Sequence, residues 1–169
     1  MGDETAVRYA VQDAVATLTM DQPHNRNALT PVLMSGLAQG LEAALADEAV
    51  GVIVLTNTGP AFCAGADLSG ERISAARAAE VGLITRAVPA ADLDAEVAAV
   101  VARLLAGGPS ALAAAKRLVY TIPGMDREAA FTRTTEVSEA LFASAEAAEG
   151  MAAFREKRLP SWAPPPSES

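Results

Sequence analysis

The segment Phe62-Cys63-Ala64-Gly65-Ala66-Asp67-Leu68 gathers the residue types best suited to meet a ligand with backbone rather than side chains. The apolar run Gly51-Val52-Ile53-Val54-Leu55-Thr56 leads toward it, and the small residues around Gly65 let backbone N–H groups approach a bound molecule closely. A helix starting just beyond would aim those groups at negative charge. Local physics alone favours a plainer role, a strand-to-helix turn, because Ala-Gly-Ala is a common string in an Ala-rich chain. Cys63 and His24 form the sole thiol–imidazole pair, and nucleophilic catalysis needs the two within hydrogen-bond reach. The plainer role for Cys63 is that of a small apolar core residue. One His and one Cys lack the spacing of a metal site, so no metal is expected.

These residues need a scaffold. Val7 to Val11 and Ala14 to Met20 read as two strands, the second alternating and rich in β-branched residues, with Gln12 and Asp13 in the turn between them. Asp21 to Asn25, broken by Pro23, is a loop. Thr30-Pro31 opens a helix as N-cap and first helical residue, and Leu33, Leu37, Leu41 and Leu45 predict one buried stripe with Met34 and Ala38 beside it. Gly36 and Gly40 weaken this helix and imply close packing against a neighbour. Gly51 to Thr56 suits a strand covered on both faces, so strand, helix and strand predict a crossover unit. Ser74 begins a short helix, Ala75 to Val81, that stops at Gly82, and Leu83 to Val88 reads as a further strand ending at Pro89. The rest is helical: Ala91 to Ala106, Ser110 to Thr121, a helix capped by Asp126 with Phe131, Val137 and Leu141 inward, and Ala145 to Arg158. Pro160 to Ser169 reads as a disordered tail.

At 169 residues, with 51% apolar and 4% aromatic side chains, the chain has room for one ordinary domain with a core of small residues. Thirteen Lys and Arg against 21 Asp and Glu give a net charge of -8, which argues against nucleic-acid and anionic-membrane partners. A single cysteine excludes an intrachain disulfide. No signal-like stretch stands at the N-terminus and no apolar run reaches the length of about 18 residues that a membrane span needs, so the expected location is cytoplasmic.

Taken together, several blocks resemble the crotonase (enoyl-CoA hydratase/isomerase) family. Phe62 to Leu68 resembles the motif that supplies half of that family's oxyanion hole. Pro23-His24-Asn25-Arg26-Asn27-Ala28-Leu29 looks like the loop before its first long helix, and Gly51 to Thr56 is similar to its central strand. Arg72 to Ala75, Ala79 to Ile84 and Val88-Pro89 resemble the stretch leading to its C-terminal helices. Glu149 to Arg158 looks like its final helix. The resemblance implies a truncated α/β (α+β) crotonase-like fold, a ββα spiral with a helical C-terminal part. It implies a single domain over residues 1–159, with residues 1–69 as a ββαβ part bearing the oxyanion motif and residues 70–159 as the helical part.

By the same resemblance, the Ala66 N–H is one of two donors to the thioester oxygen of an acyl-CoA, a contact that every enolate-forming reaction of the family needs. One such donor is worth about 10²–10³ in rate. Ala64, Asp67 and Leu68 would touch the CoA arm, His24, Asn25 and Arg26 would flank it, and Phe154 and Lys157 would cover the adenine and reach the phosphates. For Phe154 a core position, and for Lys157 a solvated surface charge, are equally good readings. No separate cofactor is implied; coenzyme A enters as part of the substrate. Homo-oligomers built on trimers are the family's habit.

Leu68-Ser69-Gly70-Glu71-Arg72-Ile73 joins two blocks that the family keeps far apart. The strands and helices between them, the second oxyanion donor and the catalytic carboxylates have no counterpart, and neither Glu71 nor Glu80 is a convincing substitute. General acid–base help of this kind is worth about 10²–10⁴. The expected function is therefore an enoyl-CoA hydratase/isomerase relative with impaired turnover. The alternatives are a catalytically silent module that holds CoA esters or joins an oligomer, and a Cys63–His24 thiol hydrolase.

Overall fold

The computed structural model describes residues 5–65 and 74–164. The chain divides into two compact units, Met1–Ala99 and Val100–Ser169, with the division falling inside one helix.

In the first unit, β1 (Val7–Gln12) and β2 (Val15–Met20) form an antiparallel hairpin with Val7 opposite Met20 and Gln12 opposite Val15. The turn is Asp13-Ala14, one residue later than the sequence implied, and both residues have positive φ, 50° and 62°. A two-residue hairpin turn of this kind follows the twist of its strands, and it favours Gly or Asn over Ala. Helix α1 (Pro31–Ala46) then crosses to β3 (Val52–Asn57), which pairs parallel to β2 with Val15 opposite Val52. This is the expected crossover, and the sheet order is β1-β2-β3.

Thr30 caps α1 as expected, its hydroxyl accepting from the Leu33 N–H at 3.2 Å. The buried stripe differs from the expected one. Leu33 is fully buried and Leu37 is partly covered, but Leu41 and Leu45 are exposed while Gly40 and Ala44 are buried. A spacing of four residues drifts by about 40° per step around a helix of 3.6 residues per turn, so a run of i+4 leucines leaves the core face. The two glycines do allow close packing. A Cβ on Gly40 would lie 2.9 Å from Leu18 Cδ2, and one on Gly36 would lie 3.0 Å from Val7 Cγ2. Ala6, Val7, Leu18, Met20 and Leu33 form the core, with Leu37 and Cys63 packed against it. Covering of β3 on both faces is not found among the described residues, since Ile53 and Leu55 are exposed and α1 packs on β1 and β2.

Helix α2 (Ala75–Glu80) is capped by Ser74, which accepts from the Arg77 N–H at 3.1 Å. It ends at Gly82, φ +76°, as the sequence implies. The strand expected over Leu83 to Val88 is absent; these residues are bends and open chain. The reason is local. The Leu83 N–H donates to Ala78 O at 2.9 Å and the Gly82 N–H to Ala79 O at 3.1 Å, the paired bonds of a Schellman ending. That ending takes the first amide a strand would need. Arg86 is drawn to Glu96 at 2.6 Å.

Helix α3 (Leu93–Ala106) runs across the division between the units. The second unit contains α4 (Pro109–Thr121), α5 (Arg127–Phe142) and α6 (Ala145–Glu156), with Ala114 and Ala153 as its buried apolar residues. Asp126 caps α5 by accepting from the Ala129 N–H at 3.0 Å. Val137 and Leu141 are half-buried, whereas Phe131 is 65% exposed rather than inward. The guanidinium of Arg127, 5.8 Å from its centroid, lies over the ring instead of a core. Helix α6 ends at Glu156, because Lys157 takes a left-handed conformation at φ 55°.

Residues 160–164, expected to open the tail, are held against the helices. The Ser161 N–H donates to Glu149 Oε1 at 2.8 Å and Trp162 Nε1 donates to Ala106 O at 3.4 Å. Among the described residues no single helix is long and apolar enough to cross a membrane; the apolar pair Ala90–Ala106 and Pro109–Gly124 is bent by 104° at its break.

Candidate functional site

The loop after β2 and the segment after β3 lie against one another, tied at several points. Pro23–Asn25 forms one 3₁₀ turn, followed by Arg26 and Asn27 at positive φ, 58° and 54°. Asn tolerates this conformation better than most residues, and Asn27 is fully buried. Its side-chain oxygen accepts from the Gln22 N–H at 2.8 Å, and its NH₂ donates to Thr58 O at 3.1 Å and Ala61 O at 2.9 Å. Both amide hydrogens are thus used. Asn57, at the end of β3, points its own NH₂ at the same two carbonyls, 3.1 and 3.0 Å away.

Further ties flank this pair. Thr58 Oγ1 donates to Asp21 Oδ1 at 2.5 Å, and Arg8 bridges the other Asp21 oxygen at 2.9 Å. A Cβ on Gly59 would lie 2.7 Å from Pro23 Cβ, so the two turns touch where no side chain fits. At the far end, the Leu29 N–H donates to Gly65 O at 3.2 Å. Gly65 has φ +79°, a conformation L side chains rarely adopt.

Of the residues that the sequence nominated, His24 and Arg26 are exposed on the loop, and Asn25 is half-buried with its side chain bonded to Gln22 and to the Ala28 N–H. Ala64 is half-buried beside Gly65. Ala66, Asp67 and Leu68 lie outside the described residues, as do Glu71 and the junction at Gly70. Cys63 packs on the core and its sulfur accepts from the Gly65 N–H at 3.3 Å, the apolar placement that its plainer reading gave. Loop 22–29 and segment 57–65 are therefore brought together within the first unit.

Phe154 and Lys157 belong to the second unit. Phe154 is 85% exposed, which removes the core alternative for it. It lines a shallow cavity of about 480 Å³ with Ala148, Gly150, Met151 and Arg155. Lys157 is exposed and serves as the C-cap of α6, its N–H donating to Ala153 O and Phe154 O. Beside it Arg158 grips Glu149 with two bonds of 2.6 and 2.9 Å. That grip, with the Ser161 N–H, holds the Glu149 carboxyl down to about 2, and the same carboxylate raises the Arg158 guanidinium above its usual value. Across the unit, Glu146 caps α4 by accepting from the Ser110 N–H at 2.9 Å and the Ala111 N–H at 3.1 Å. Burial pushes its carboxyl up, but these two hydrogen bonds outweigh burial and hold it below the usual range.

Among the described residues no group of three or more His, Cys, Asp or Glu is placed to hold a metal ion. The residue that sequence reasoning missed is Asn27. The available signal was an Asn, tolerant of left-handed backbone, within a loop bounded by Pro23 and Pro31.

The fold places the chain among crotonase-like α/β proteins. The crystal structure of an enoyl-CoA hydratase/isomerase from Mycobacterium paratuberculosis superposes with a TM-score of 0.83 at 21% identity, covering 93% of this chain and 98% of that one. An enoyl-CoA hydratase from Mycobacterium avium is 32% identical with a TM-score of 0.63, covering 94% and 99%. The family model for enoyl-CoA hydratase/isomerase matches residues 10–71 and 68–165. This chain belongs to the enoyl-CoA hydratase/isomerase family.

Curated relatives match over shorter spans. The probable enoyl-CoA hydratase echA6 of Mycobacterium tuberculosis is 46% identical over 63 residues, 37% of this chain and 26% of that protein. The hydroxycinnamoyl-CoA hydratase-lyase of Pseudomonas fluorescens is 39% identical over 62 residues, 37% of this chain and 22% of that protein. The matched span thus amounts to 22–26% of these relatives' own length.

Proposed function

We propose that this chain binds acyl-CoA thioesters through the turn at Ala64–Ala66 and turns them over poorly. The observation that carries the binding half is the hydrogen bond from the Leu29 N–H to Gly65 O. A trans peptide sets its C=O and N–H on opposite sides. A donor role for the Ala66 N–H therefore requires the preceding carbonyl to be bonded away from the ligand, and the bond from Leu29 meets that requirement. His24 and Arg26, exposed on the loop that Leu29 closes, are free to meet the CoA arm. Phe154 and Lys157 would serve the adenine and phosphates.

The second half of the proposal, weak turnover, is supported by the form of the family match. Its two segments, 10–71 and 68–165, meet at residues 68–71. That is the join where the family's second oxyanion donor and carboxylates have no counterpart in the sequence. Without an acid and a base to move protons, an enolate can be stabilised but neither formed nor quenched efficiently. The chain would act on its own or within a homo-oligomer, in the cytoplasm, with no cofactor beyond the substrate's coenzyme A.

Calorimetry of the full chain with acetyl-CoA tests the binding half, with saturable heat expected and no heat up to millimolar ligand overturning it. Loss of crotonyl-CoA absorbance tests the other half. A rate at or barely above buffer is expected, and a rate typical of enzymes, about 10 s⁻¹, would restore full hydratase function to the chain.

A further inference from the structure

Asn27 makes no contact that the proposed chemistry needs directly, yet it is the one fully buried polar side chain among the described residues. A buried amide is costly to leave unpaired, and this one is paired at its oxygen and at both hydrogens. Its partners matter more than its burial. Thr58 O and Ala61 O belong to the segment that runs from β3 to Gly65, and each also receives the NH₂ of Asn57. Beyond Ala61 the same segment is fixed by Cys63 on the core and by Gly65 O on Leu29. The segment carries no secondary structure of its own between Asn57 and Gly65, so its path is set by these side-chain bonds.

We propose that Asn27 is the positioning residue for the acyl-carbonyl end of the site, acting through the Thr58 and Ala61 carbonyls. The proposal rests on the thioester-binding reading above. Asn27 holds the segment at a fixed distance from loop 22–29, so that Gly65 arrives where Leu29 takes its carbonyl. Asn57 shares the load from the strand side. Without the clamp, the Ala61 to Gly65 stretch relaxes outward and the carbonyl subsite widens, while contacts to the rest of coenzyme A, which lie on His24 and Arg26, persist.

The test is calorimetry of the full-length Asn27→Ala and Asn57→Ala proteins with acetyl-CoA and, separately, with free CoA, which has no acyl carbonyl. Asn57→Ala should weaken acetyl-CoA by at least about fivefold while leaving CoA within about twofold of wild type. Asn27→Ala, which also releases the Gln22 N–H in the loop of His24 and Arg26, should weaken acetyl-CoA more than it weakens CoA. Equal losses for both ligands, or no loss in a variant that circular dichroism shows to be folded, would overturn the proposal. Should Asn27→Ala fail to fold, Asn57→Ala, whose side chain is only half-buried, decides the matter by the same ratio. A ligand-free readout separates this proposal from the one beneath it. Cys63, the sole cysteine, should react with iodoacetamide about tenfold faster in either variant as the segment opens locally. Wild-type protein that binds neither ligand removes the thioester reading alone. In that event an unchanged Cys63 rate removes the clamp as well, and a faster one retains it.

Discussion

The Leu29 amide and the Gly65 carbonyl meet across 3.2 Å, joining the residue that precedes the Thr30 cap of α1 to the segment that follows β3. A backbone-to-backbone bond between two loops survives side-chain changes at either end, but it depends on Gly65 keeping φ near +79°.

Gly65→Ala should therefore cost about 1–2 kcal/mol of stability, the penalty of a left-handed L residue. It should also weaken acetyl-CoA binding, since relief of the strain turns the carbonyl away from Leu29. Urea denaturation and calorimetry of the variant check both. Unchanged stability would mean that the turn readily adopts another conformation.

The hairpin offers the converse case. Ala14 stands at φ 62° in a turn where Gly is preferred. Ala14→Gly should stabilise the protein by about 0.5–1 kcal/mol, the relief of strain being partly offset by the added freedom of the unfolded chain. A melting temperature at or below that of wild type would count against the turn geometry.

At Gly40 two effects of similar size compete. Alanine gains about 1 kcal/mol of helix propensity, but its Cβ would sit 2.9 Å from Cδ2 and 3.2 Å from Cγ of Leu18, which is fully buried and has nowhere to swing. Overpacking of this kind costs about 1–3 kcal/mol. The expected outcome for Gly40→Ala is a net loss of about 1 kcal/mol. A gain on denaturation would show that α1 can lift from the sheet.

The acid limb of stability should report Glu149. A carboxylate whose folded pKa is lowered contributes stability that is present above its unfolded pKa and is lost as pH falls through the folded one. For Glu149 that window runs from the ordinary 4.5 down to about 2. The melting temperature of wild type should fall more steeply across this window than that of Glu149→Gln, and added salt should narrow the difference because the pair is exposed. Parallel curves would mean that the Arg158 grip does not persist in solution.

What the sequence disclosed was the part of the fold that depends on neighbours within a few residues. Thr30 and Asp126 cap the helices they were expected to cap, and Ser74, expected to begin a helix, caps it, because an N-cap bond reaches only three residues ahead. The crossover from β2 through α1 to β3 followed from element order. The strand expected at Leu83–Val88 failed for an equally local reason, the Schellman bonds that end α2. The leucine stripe failed because a spacing of four drifts off the core face. Longer ties were not legible. Asn27 bonds to carbonyls 31 and 34 residues away, and Glu146 to amides 36 and 35 residues away. Of the site, the juxtaposition of loop 22–29 with segment 57–65 was accessible only through family resemblance, since nothing in either segment announces the other.

The carboxylate of Glu146 has a bearing on synthesis. Helix α4 begins at Gly108-Pro109 with no capping side chain of its own, and two of its first amides are met only by a residue that leaves the ribosome 35 or more positions later. A nascent chain that stops short of residue 146 presents an α4 with those amides open to water. The start of that helix therefore settles late, together with α6, and premature termination between the two would leave the earlier helix frayed at its leading end.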